Sequence, residues 1–202
     1  MGVFGKLFGG GKKVSKETTE TRGEHDPNLK IPIDEKFTIY FKKNGGKFIY
    51  CENFSEVTLA LQNIISENDW QQHYFYTLDQ RLKERFVSEN IPFTDMKSES
   101  DVFFTTCEHL IAHNGSILVC SNQIKGKKLS ELPSNMVVFA TTSQLVDTIS
   151  QALQVIKEKY GKNIPDNITT IKHFQPTTEN ENDFLSYGSS SKNVYLLLME
   201  DY

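Results

Sequence analysis

Residues 100–146 read SDVFFTTCEHLIAHNGSILVCSNQIKGKKLSELPSNMVVFATTSQLV, and this stretch decides the fold. Val102–Thr105, Ile117–Cys120 and Met136–Ala140 are apolar runs of strand length, bounded by turn-forming residues. They are continuous rather than alternating, which is the pattern of strands covered on both faces. Between the first two runs lies a polar connection containing Asn114-Gly115. After the second come the basic loop Lys125–Lys128 and Leu132-Pro133. From Ser143 an amphipathic run begins, with Leu145, Ile149, Leu153 and Ile156 on one stripe and Val146 and Ala152 beside it. That spacing predicts a helix from Ser143 to Tyr160, ended by Gly161.

Working outward, strands are expected at Lys47–Cys51, His73–Thr77, Ile168–Ile171 and Val194–Met199. Helices are expected at Ser55–Glu67, with Ser55 as N-cap, and at Leu78–Glu89, with Asp79 near its start and Asn90 after its end. Residues 34–44 admit two readings. Phe37, Tyr40 and Phe41 are spaced for a helix, with Asp34 and Glu35 opening it, Lys42 and Lys43 closing it and Asn44-Gly45-Gly46 as its stop. The rival is a hairpin about Asn44-Gly45. Strands alternating with helices predict a three-layer α/β domain, with a largely parallel central sheet flanked by helices.

Composition bounds the function. The 202-residue chain is long enough for one domain with a sizeable core. Residues 1–30 are polar and rich in Gly, Lys, Thr and Glu, so they read as a flexible tail ahead of a single domain over 31–202. A net charge of -4 argues against broad nucleic-acid binding, which needs a clustered basic surface. No apolar run approaches the ~20 residues of a membrane-spanning helix. The opening MGVFGKLFGGGKK lacks the apolar core of a signal peptide. Lys6 stands where a myristoylation pattern wants Ser or Thr. A surface anchor through Val3, Phe4, Leu7 and Phe8 competes with a simple frayed terminus. Cys51, Cys107 and Cys120 are far apart and odd in number, which points to reduced thiols and a cytoplasmic location.

The segment from Asp101 to Val146 resembles the lactate-utilisation LUD-domain family. The residues that carry the likeness are Ser100-Asp101-Val102, the run Leu110-Ile111-Ala112 followed by Asn114-Gly115-Ser116, Ser121, Leu132-Pro133 and Ser143-Gln144-Leu145-Val146. Asn44-Gly45-Gly46-Lys47 upstream also matches, as do Asp183-Phe184 and Tyr187-Gly188 before the last strand. The likeness runs from about residue 31 to 202. It implies a fold like that of the glucosamine-6-phosphate deaminase, ribose-5-phosphate isomerase and CoA-transferase superfamily. It further implies an accessory role in oxidising L-lactate to pyruvate beside an iron–sulfur partner subunit, with a small carboxylate or other anion as ligand. One loop departs from the family pattern. His173–Asn180 reads HFQPTTEN where the family carries a glycine, although Pro176, Thr177 and Asp183 keep parts of the run.

The resemblance therefore implies a ligand beside Asn114, Gly115, Ser116 and Ser121, with Lys128, Thr177 and Asp183 closing the pocket. From the residues alone, Asn114-Gly115 reads first as an ordinary tight turn. Glu108 is the candidate general base, and a solvated carboxylate is its alternative. His109 and His113 stand four apart like zinc ligands, but Leu110 replaces the glutamate of that motif, so no metal is expected. No dinucleotide fingerprint, paired CxxC or phosphate loop is present, and no resident cofactor is expected.

Overall fold

The computed structural model describes residues 31–174 and 192–201. The segment 1–30, expected as a tail, lies outside them, as do Thr177 and Asp183. Helix α1 spans Ile33–Lys43, so the helical reading holds over the hairpin. Asp34 and Glu35 sit in its first turn and Lys42 and Lys43 in its last, each complementing the helix dipole. Asn44 caps it and Gly45, at φ 88°, turns the chain into strand β1 (Lys47–Cys51).

Six strands form the main sheet: β1, then β2 (Tyr74–Tyr76), β3 (Phe93–Thr94), β4 (Ser100–Thr106), β7 (Asn135–Thr141) and β10 (Asn193–Met199). Their order is β1-β10-β7-β4-β2-β3, and every pairing is parallel. Side chains alternate between two cores with the period of the pleat. Phe103, Met136, Val138, Val194, Leu196 and Leu198 face one core, which takes Phe37 and Phe41 of α1. Val102, Phe104, Val137, Phe139, Tyr195 and Leu197 face the other, beneath helix α2 (Phe54–Glu67) and helix α3 (Gln80–Arg85). This is the three-layer α/β arrangement expected.

The flank shared with α1 holds a second sheet that the sequence did not announce. Strands β5 (His109–Ile111), β6 (Ser116–Val119), β8 (Leu145–Val146) and β9 (Thr169–Ile171) pair in the order β8-β5-β6-β9. Residues 169–171 therefore belong to this sheet, not to the main one. Its outer face, with Ile111, Leu118 and Val146, packs on Ala152 and Ile156 of helix α5 (Ile149–Tyr160).

Three element boundaries differ from expectation. The helix expected from Ser143 starts only at Ile149, because the Thr148 hydroxyl caps the Gln151 amide at 3.2 Å. Leu145 and Val146 instead pair with Leu110 and Ile111. The inner stripe of α5 is Ala152 and Ile156, and Ile149 and Leu153 are left partly exposed at 39% and 42%. Helix α2 is capped by Asn53, whose side chain accepts from the Glu56 amide at 3.1 Å, rather than by Ser55. Helix α3 stops at Arg85 and is followed by a single tight turn at Val87–Glu89. A short helix α4 (Ser121–Ile124) follows Cys120. The backbone carbonyls of Leu132 and Pro133 accept from the buried Lys192 ammonium at 2.7 and 3.1 Å, which ties that corner to the start of β10. No helix among the described residues is long and apolar enough to cross a membrane.

Candidate functional site

In parallel α/β sheets, ligand crevices lie beyond the carboxyl ends of the strands. Here strands β4 and β7 are neighbours, and beyond their ends lies a cavity of about 500 Å³. Thr106, Cys107, Glu108, Phe139, Thr141 and Gln144 form its floor. Helix α3 contributes Asp79, Arg81, Leu82 and Arg85 from one side. Asn122 and Gln123 of α4 and Lys159 and Tyr160 of α5 close the other.

Glu108 occupies the junction where the chain leaves the main sheet for the small one, its amide donating to Leu118 O at 2.9 Å. Its side chain is almost wholly buried, 3% exposed. Burial alone would raise its pKa. Hydrogen bonds from Gln123, Asn122 and Tyr160 outweigh that, with the charge of Lys159 added, and hold it at about 2. Gln123 Nε2 donates at 3.0 Å, Asn122 Nδ2 at 3.2 Å, and Tyr160 OH reaches both oxygens at 3.0 and 3.1 Å. Lys159 Nζ stands 3.2 Å from Oε2. The carboxylate is thus ionised and saturated with donors. That state suits a fixed acceptor, not a base poised near neutral pH.

The neighbouring groups are held in matching fashion. Gln144 Nε2 donates to Glu108 O at 3.3 Å, and its Oε1 accepts from the Thr141 amide at 2.8 Å. This one side chain pins the ends of β4 and β7 together. Burial pushes the Cys120 thiol up to about 11, and its Sγ lies 3.1 Å from Gln123 Oε1. Burial also lifts Cys107 and lowers His109. His109 Nδ1 donates to Gln144 O at 3.2 Å.

Glu108 makes stability depend on acid. Its folded pKa lies below the ordinary 4.5, so its contribution is fully present above pH 4.5 and is lost as pH falls towards 2. The shift of 4.5 to about 2 corresponds to about 3 kcal/mol. Urea unfolding of the wild type and of Glu108→Gln across that range is expected to give a steeper fall for the wild type. Parallel curves would contradict the assignment.

The other expected site residues lie elsewhere. Asn114, Gly115 and Ser116 form the β5–β6 turn and pack on the end of α1. Asn114 O accepts from Asn44 Nδ2 at 2.7 Å, and Asn114 Oδ1 accepts from Ser116 Oγ at 2.7 Å. Ser121 opens α4, and its amide donates to Asp166 O at 2.8 Å. Lys128 is exposed beside a separate hollow of about 490 Å³ with Lys127, Ser130 and Asn167. None of these five residues lines the Glu108 cavity. Among the described residues no group of three or more His, Cys, Asp or Glu side chains converges to hold a metal.

Arg81, Arg85, Asn122, Gln123, Lys159 and Tyr160 carry no sequence motif. Only the spacing of Arg81 and Arg85, four apart on one helix face, offered a signal. Each of the others is adjacent to a turn or helix end whose position only the tertiary fold reveals.

A family model described as the LUD domain matches residues 35–199. A solved structure of a DUF162 family protein from Deinococcus radiodurans superposes with a TM-score of 0.59. The alignment covers 84% of this chain and 96% of that one, at 12% identity, and so speaks to the fold alone. No curated protein matches.

Proposed function

Since the chain belongs to the LUD domain family, we propose that it is an accessory, ligand-binding component of L-lactate utilisation. It holds a small carboxylate or similar organic anion in the crevice beyond β4 and β7, next to an iron–sulfur partner subunit that carries the electrons. The observation behind this reading is the charge of the crevice. Arg81, Arg85 and Lys159 face Asp79 and Glu108, three cations against two carboxylates, which leaves one positive charge for an anion.

The state of Glu108 favours binding over turnover, because a carboxylate at about 2 with its oxygens filled has no proton to trade near neutral pH. This also supports the second reading, a ligand-binding or interaction module without the family's pocket chemistry. Two measurements separate them. Deleting the gene is expected to slow growth on L-lactate as carbon source, and L-lactate or pyruvate is expected to raise the melting temperature of the purified chain. Unchanged growth together with unchanged melting would overturn the lactate reading. Stabilisation by another carboxylate with unchanged growth would favour the module.

A further inference from the structure

The crevice is larger than a three-carbon acid requires. Its volume is about 500 Å³. Lactate occupies at most roughly 180 Å³ if each of its heavy atoms is given the ~30 Å³ share of a liquid water. The crevice lining is mixed, and Leu82, Cys107, Phe139 and Tyr160 supply the apolar and aromatic part.

One cation in this crevice is set apart from the rest. Arg81 meets Asp79 at 3.2 Å, and Lys159 meets Glu108 at 3.2 Å. No carboxylate among the described residues pairs with Arg85. Its guanidinium carbon instead lies 4.8 Å from the centre of the Phe54 ring and 4.9 Å from that of Phe139. These aromatic contacts hold the cation without neutralising it, so its N–H groups, the fork that matches a carboxylate, have no anionic partner among the described residues. Phe139 also lines the cavity, beside Leu82 and Tyr160.

Taking the crevice as the ligand site, the geometry points to Arg85 as its specificity-determining residue and to an aromatic monocarboxylate as its ligand. Arg85 takes the carboxylate, and the space beside Leu82, Phe139 and Tyr160 takes the ring. The single excess positive charge suits one carboxylate better than a doubly charged phosphate monoester.

Calorimetric titration of the full chain with L-lactate and with L-phenyllactate tests this, because the two share a head group and differ by the phenyl ring. Phenyllactate is expected to bind at least about tenfold more tightly, the gain from burying a ring. Arg85→Gln is expected to weaken phenyllactate at least about tenfold, as loss of a charge-assisted fork should. Arg85→Lys keeps the charge and loses the fork, and is expected to recover only part of the affinity. Equal binding of the two acids, no binding of either, or wild-type affinity in both Arg85 variants would overturn the inference. Tight lactate binding without a phenyl preference sinks the inference and leaves the lactate reading standing. Phenyllactate binding with normal growth of the deletion strain does the reverse.

Discussion

Glu108→Gln is expected to lower the unfolding free energy by about 3 kcal/mol at neutral pH. The two carboxylate oxygens accept from Gln123, Asn122 and Tyr160 and stand beside the Lys159 ammonium. Glutamine replaces one of these acceptors by an NH₂ donor of nearly the same shape. Donor then faces donor in a place with almost no access to water, since the Glu108 side chain is 3% exposed. A buried donor left unpaired costs about 1–3 kcal/mol, and more than one is affected here. Lys159 is 57% exposed, so its charge accounts for the smaller part of the loss. Urea unfolding measures the effect directly. A loss below about 1 kcal/mol would mean that this network does not hold α4 and α5 to the Glu108 junction.

Gly115→Ala is expected to be at least as damaging, about 3 kcal/mol or more, and for a different reason. Gly115 has φ +65°, where a Cβ is strained in any case. A Cβ built there would lie 2.3 Å from Phe41 N and 2.4 Å from Tyr40 C. These are backbone atoms of α1, so no side chain can swing aside. The helix itself must back off, and with it Phe37 and Phe41, both fully buried in the core beneath the main sheet. The glycine of the β5–β6 turn is also a point where two backbones touch. Thermal melting and urea unfolding of the alanine variant check this. A cost within about 1 kcal/mol would show that α1 does not rest on the turn.

The two substitutions mark what the sequence made legible. Apolar runs such as Phe103-Phe104 and Met136–Ala140 announced the parallel sheet, because strands buried on both faces need no polar alternation. Glu108 was visible as a candidate because it sits between two strands. Its partners were not. Asn122, Gln123, Lys159 and Tyr160 come from two helices and meet Glu108 only after the small sheet has folded back on the main one. Short strands such as Leu145–Val146 are too brief to show a period, and their residues fell in phase with the α5 pattern by coincidence of spacing. Arg85 reads as one more surface charge until Phe54 and Phe139, separated widely in sequence, are brought to it.

The central claim is that the crevice beyond β4 and β7 is where this chain holds its ligand. The direct measurement is a titration of the isotope-labelled chain with phenyllactate and with L-lactate, followed amide by amide by nuclear magnetic resonance. Shifts are expected to gather at Thr106, Glu108, Asn122, Phe139 and Thr141 and to fade in Arg85→Gln. Shifts gathered instead at Asn114, Gly115 and Ser116, or around Lys128, would contradict it.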